Sequence, residues 1–373
     1  MALEKLDIDK IRDQFTGICK AEKGVLDEQR KIARKLRAER LPLDLKKWEG
    51  KAIAFVSADG GDNRIRLDSL PSAGPAVVEL VRVVDSNGKG AMAPFAGAAE
   101  DDDFDRLDAV KKLRISLGCE KVSDLSTYLG RVRELGGKKR SRTDKMRAYR
   151  EIVEWAVFYE LLKTCEGDTL VVRDGALRTQ IFDTGIFGKL DRKIREVVEK
   201  HKFQVYCVGV AKQTLLLNRL RLAISMEDVF GEGAQYIPVP DEIAKEFYDR
   251  RWLGTMETTE YDYRSLAKMY LVKFGEHPLD PVWPVDIAAW QTAEAESILG
   301  YLARDARPAF PVPDFPMCIQ KAHEYAKIGG IEMAHLQDML FGEMLKTMNN
   351  ADDEKILRAR YLTEDVSAWR YTK

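Results

Sequence analysis

Four short apolar runs constrain this chain most: AIAFVSA (52–58), VVELVRVV (77–84), TLVVR (169–173) and FQVYCVGVA (203–211). Their length and their β-branched and aromatic content suit buried strands. Three of them end on turn-forming residues: Asp59-Gly60-Gly61, Asp85-Ser86-Asn87-Gly88 and Asp174-Gly175. Between the runs lie segments with helical spacing of apolar residues, so the pattern predicts an α/β protein built around a central mixed sheet flanked by helices.

Residues 4–47 are rich in charge, and Leu6, Ile8, Ile11, Phe15, Ile18, Ile32 and Leu36 fall at helical spacing, which predicts two amphipathic helices. Further helices are expected near 144–163, 189–200 and 290–304, and in the segment carrying His323. ALRTQIF (176–182) reads as strand-like, and the tail from 331 reads as a charged helix. At 373 residues the chain is long enough for one large domain or two ordinary ones, and no internal repeat divides it.

The charge balance of 60 Lys and Arg against 61 Asp and Glu gives no bulk attraction to nucleic acid or membrane. Its distribution is uneven, because Arg131 to Arg150 holds nine cations, densest at Lys138, Lys139, Arg140 and Arg142. Phosphate contacts made there would supply sequence-independent affinity, although a solvated basic loop fits the same residues. Five scattered cysteines without CxxC spacing argue against a zinc module and a disulfide framework. With no signal-like amino terminus and no apolar stretch of membrane-spanning length, a cytoplasmic protein is expected.

Two segments share a design in which an apolar strand delivers Asp-Gly at its end: FVSADG with Asp59 and LVVRDG with Asp174. Carboxylates at the ends of neighbouring strands create an oxygen-rich rim that suits Mg²⁺ or Mn²⁺. Asp-Gly is equally the dipeptide of a tight hairpin. A third carboxylate, Glu154, sits in IVEWAVFYELL (152–162), a helix apolar almost all round. Buried there, it needs a cation, and Arg150 one turn earlier offers an ordinary ion pair. Glu151 has a more polar context beside Arg147. His323-Glu324 does not complete an H-E-x-x-H motif, since position 327 is Lys, and no phosphate-loop motif occurs.

The ordered set resembles the NurA nuclease family: a strand with Asp59-Gly60, Glu154 in an Arg-rich helix start, LVVRDGALR with Asp174, GVAK with Lys212, and FPMCIQKAH with His323. The match spans roughly residues 50–330. It implies an RNase H-like core related to the nuclease domain of Argonaute proteins, over residues 49–330, with a helical segment at 1–48 and a helical tail at 331–373. It also implies a DNA nuclease using Mn²⁺ or Mg²⁺, two ions held by Asp59, Glu154, Asp174 and His323, with Lys212 at the scissile phosphate. Glu151 competes with Glu154 for the helical ligand. Two departures stand out: Phe315 replaces a common tyrosine, and Gly61 replaces a common serine.

NurA-like proteins work as homodimers with HerA-type hexameric ATPases, and the missing phosphate loop fits a nuclease that borrows its motor. The setting implied is break repair or defence against phage. Two other classes compete: a non-catalytic subunit that binds DNA or the translocase, and an RNase H-like enzyme acting on RNA or a hybrid.

Overall fold

The computed structural model describes residues 5–48, 50, 52–67, 76–96, 101–126, 128–129, 142–248 and 264–349. In chain order the helices are α1 (Lys5–Ala38), α2 (Asp108–Ser116), α3 (Arg142–Lys163), α4 (Thr184–Lys200), α5 (Leu215–Met226), α6 (Asp241–Tyr248), α7 (Ala295–Ala306), α8 (Met317–Ala326) and α9 (Gly330–Asn349). The strands are β1 (Leu41–Pro42), β2 (Ala54–Leu67), β3 (Ala76–Asp85), β4 (Gly90–Ala96), β5 (Thr169–Asp174), β6 (Arg178–Thr179), β7 (Val205–Val210), β8 (Gln235–Pro238), β9 (Arg264–Ser265), β10 (Ala267–Lys273) and β11 (Val282–Ala288). The result is a mixed α/β fold whose sheet strands are mostly antiparallel. Among the described residues no helix is long and apolar enough to cross a membrane.

The chain divides into two compact units, and the first holds Met1–Ser57, Thr164–Gln180 and Arg195–Gln320. Its strands run in the order β1-β8-β10-β11-β7-β5, followed by the opening of β2, where Ala54 N–H donates to the Asp168 carbonyl at 2.9 Å. All of β7 and all of β5 except Asp174 are buried, which explains why both runs are apolar without alternation. They pair in parallel, Asp174 opposite Val210, and so require a crossover that includes α4. Gly209 is needed on β7 because a Cβ there would come within 2.5 Å of the Gly175 carbonyl.

One helix replaces the two expected over 4–47. Gly17 and Gly24 lie inside α1, and glycine in a helix interior costs only ~1 kcal/mol, too little to end it. The carboxyl-terminal half of α1 buries Ala33 and Leu36 in a cluster with Leu216, Leu217, Leu220 and Ala223 of α5. Three arginines on that half converge on Glu227 just past α5. Arg30 Nε lies 2.5 Å and Arg34 Nε 2.7 Å from its carboxylate, and Arg37 donates to its carbonyl at 3.0 Å. Two short segments stay minor: of the strand-like 176–182 only β6 forms, pairing with β9, and Arg178 is drawn into a buried ion pair with Asp286 of β11.

The second unit holds Ala58–Lys163, Ile181–Ile194 and Lys321–Lys373. Its sheet is a meander, β2-β3-β4, with Ala58 opposite Asp85 and Leu67 opposite Ala76. The β3–β4 turn is the one the sequence predicts: Gly88 has φ +78°, and Asp85 Oδ1 accepts from the backbone of Asn87 and Lys89 at 2.9 and 2.8 Å. The Asp59-Gly60-Gly61 turn does not form, and β2 runs through it to Leu67. Neither glycine has positive φ; both serve close approach instead. A Cβ on Gly60 would sit 2.6 Å from Glu154 Oε1 of α3, and one on Gly61 would sit 2.5 Å from the Ala326 carbonyl at the end of α8.

Strand alternation therefore sorts β2 into two faces. Gly60, Asp62 and Arg64 face α3, while Asp59, Gly61 and Asn63 face α8 and the turn leaving it; Asn63 Nδ2 donates to the Ile328 carbonyl at 3.4 Å. On the α3 side Tyr149 packs between Phe95 and Phe104, with ring centroids 5.2 and 4.9 Å away.

Two outcomes test this packing. Gly61→Ala drives a methyl group into backbone and should lower stability by ~2 kcal/mol in urea denaturation; an unchanged midpoint contradicts the close approach. Hydrogen bonds from Arg34 and then Arg30 push the Glu227 carboxyl down to about 2, below its ordinary 4.5. The stabilisation is therefore complete above about pH 4.5 and is lost as pH falls through about 2. Melting temperature followed from pH 5 to pH 2 should fall less steeply in Glu227→Gln than in wild type.

Candidate metal centre and its counter-ions

In the second unit, Asp59 occupies the α8 face of β2 and is only 7% exposed. Its Oδ2 lies 2.7 Å from Nδ1 of His323, and its Oδ1 accepts from the Gly60 N–H at 2.7 Å. His323 is half exposed on α8. If Nδ1 donates to Asp59, the other ring nitrogen keeps its lone pair, the arrangement in which a histidine ligates a metal while a carboxylate fixes its tautomer. A cation shared between Asp59 and Nδ1 would instead replace the proton of that bond. The first arrangement offers a divalent cation an imidazole nitrogen, and the second adds a hard carboxylate oxygen.

Glu154 lies across the strand from that pair. It is 8% exposed, its Oε1 crowds Gly60, and Arg150 Nε approaches Oε1 at 3.4 Å. The guanidinium of Arg150 also closes an ion pair with Asp62 on the same face of β2. Burial alone would lower the Arg150 pKa, but Glu154, Asp62 and Asp59 outweigh it and the guanidinium is held above its ordinary value. The helix itself is fixed by Trp155, whose ring meets Phe158, Phe182 and Phe187 edge-on with centroids 5.9 to 6.4 Å apart. Glu151 is half-buried one turn before Trp155.

In the first unit, Asp174 ends β5, and Gly175 after it has φ +113°, so this Asp-Gly does terminate its strand. Lys212, two residues past β7, donates from Nζ to Asp174 Oδ2 at 2.7 Å. Its ammonium also lies 5.7 Å from the centroid of the Phe315 ring. Phe315 is 1% exposed and packs on Trp283 at 4.7 Å, a core position where the ring serves the lysine by its face and offers no hydroxyl.

Lys138, Lys139 and Arg140 lie outside the described residues; Arg142 opens α3, and its side chain is likewise outside them. Within the second unit Asp59 joins His323, and Glu154 joins Arg150; within the first, Asp174 joins Lys212. Asp62 was missed in the sequence because reading Asp59-Gly60-Gly61 as a turn placed it beyond the strand. Its signal was the period-two spacing with Gly60 once β2 is continuous.

Replacing Arg150 with Met leaves Glu154 buried without this guanidinium. Breaking a fully buried pair costs roughly 3–5 kcal/mol; with a third of Arg150 exposed, about 2 kcal/mol is expected. Urea denaturation of Arg150→Met, Glu154→Gln and the double variant checks this, the double variant recovering part of the loss. Strict additivity would contradict the coupling.

No family model matches the chain, and no curated protein matches it. Solved structures similar to it include the NurA nuclease from Sulfolobus solfataricus, at 12% identity over 94% of this chain and 100% of that one, with a TM-score of 0.42. A NurA structure bound to dAMP and manganese is 11% identical over 91% of this chain and 98% of that one, TM-score 0.44. A third, NurA with manganese, is 11% identical over 88% and 98%, TM-score 0.43.

Proposed function

We propose that the protein is a metal-dependent DNA nuclease of the NurA type, with an RNase H-like core, cutting single strands or processing DNA ends in the cytoplasm. The single observation that carries the reading is the Asp59–His323 pair, 2.7 Å apart, set on a strand by glycines that admit helices on both faces. An ordinary surface carboxylate needs no such setting. The ordered motifs that resemble NurA fall on this pair, on Glu154, and on Asp174 with Lys212.

On this reading the residues that the resemblance assigns to Mn²⁺ or Mg²⁺ are Asp59, Glu154, Asp174 and His323, and in the second unit the Asp59–His323 pair offers an oxygen and an imidazole nitrogen. Two carboxylates and an imidazole fit such a cation by charge and donor type. The cation, one ion or two, would activate water and stabilise the leaving oxygen of a phosphodiester. Asp59 orients the His323 ring, and Lys212 neutralises Asp174 and is available to a phosphate oxygen. Arg150 pairs with Glu154 on the α3 face of β2.

The partners proposed are a HerA-type hexameric ATPase and a second copy of the chain, in break repair or anti-phage defence. Ile8, Ile11, Phe15 and Ile18, exposed along the first half of α1, form an apolar row suited to such association.

One observation favours the non-catalytic alternative: Glu154 and Asp174 each already pair with a protein cation, Arg150 and Lys212. Charges satisfied in that way need no metal. Incubating labelled single-stranded DNA with the purified chain and Mn²⁺, with and without the motor, separates the readings. The nuclease reading predicts cleavage that chelation stops and that Asp59→Ala, Asp174→Ala or His323→Ala reduces at least 100-fold. Equal cleavage by wild type and Asp59→Ala, or none by wild type with the motor present, overturns it. Preference for RNA or a hybrid over DNA would move the substrate class.

A further inference from the structure

We propose that Tyr325 is a stacking platform for a base of single-stranded DNA, with Lys89 and Lys321 engaging the flanking phosphates. The inference rests on the nuclease reading and names how the second unit would hold its substrate.

Tyr325 lies near the end of α8, two residues after His323, and is 49% exposed, a large apolar ring left facing water. It is not loose. The ring rests on the β3–β4 turn, where a Cβ added to Gly88 would be 3.8 Å from its Cζ and 3.9 Å from both Cε atoms. That turn is itself fixed by Asp85 and by the positive φ of Gly88, so one side of the ring is held by rigid backbone while the rest remains open. Because Ala58 pairs with Asp85, the turn lies at the Asp59 end of the β2–β3 ladder. The platform and the Asp59–His323 pair thus share one end of the unit.

Cations flank the ring. Lys321 is exposed one turn earlier on the same face of α8, and Lys89 is exposed immediately after Gly88. Lys327 is exposed as well, and the one exposed acid among these helix neighbours is Glu324. An exposed aromatic ring set against a turn, with exposed lysines on the same helix face and in that turn, suits an unpaired base and its backbone, because every base offers a π-face and every linkage a phosphate. A base buried in a duplex stack cannot reach the ring in this way, so the preference is for single strands.

Fluorescence anisotropy with the full chain, a labelled 15-mer of thymidine and EDTA to prevent cleavage tests this. Tyr325→Ala should weaken binding about tenfold and Tyr325→Phe less than about threefold. The difference between wild type and Tyr325→Ala should vanish on an abasic strand of the same length. Lys89→Ala and Lys321→Ala should weaken both strands alike and each reduce the salt slope by about 0.7. If Tyr325→Ala binds the thymidine strand as wild type does, with only its melting temperature lowered, the ring is packing for the hairpin and the inference fails alone. If wild type binds no single-stranded DNA at low salt, the nuclease reading fails with it.

Discussion

Two adjacent glycines on one strand set the conditions for everything around Asp59. A Cβ at Gly61 would meet the backbone at the end of α8, and one at Gly60 would displace the Glu154 carboxylate, so the bare backbone lets helices close on both faces of β2 with Glu154 in place. That double approach puts His323 within hydrogen-bond distance of Asp59 on one side and Arg150 with Glu154 on the other. The strand continues because its φ angles stay ordinary and β3 pairs with it along ten residues. Glycine here supplies space and not a turn.

Charge compensation arises from that crowding. Glu154 is too buried to stand alone, and the guanidinium that meets it also reaches Asp62, tying α3 to the strand. Asp174 in the other unit has a lysine in the same role. Each carboxylate therefore has a resident cation, while Asp59 has an imidazole, whose charge depends on its proton. On the proposed reading, that difference is why Asp59 is the carboxylate expected to exchange its partner for a metal ion.

Much of this was legible in the sequence, and the failures have physical causes. The buried strands at 169–174 and 205–210 announced themselves because both faces are covered and nothing polar interrupts them. The Arg150–Glu154 pair was readable from i, i+4 spacing in an apolar helix. The two Asp-Gly dipeptides look alike but fold differently: Gly175 takes φ +113° and ends β5, whereas Gly60 stays extended and β2 passes through it. What separates them is tertiary, since the space at Gly60 is claimed by Glu154 of α3, 94 residues later in the chain. The same cause hid Asp62, Tyr325 and its seat on Gly88. The segment 4–47 reads as two helices because its apolar positions fall into two groups, up to Ile18 and from Ile32, whereas a helix once formed continues through the polar stretch between them as α1.

The central claim is that Asp59, held by its glycine neighbours beside His323, is a metal ligand. Titrating the full-length chain with Mn²⁺ and following free metal by electron paramagnetic resonance, without any DNA, tests it most directly. Saturable uptake by wild type that Asp59→Asn abolishes, with the melting temperature little changed, is the predicted result. Equal uptake by both proteins, or none by wild type, would contradict it.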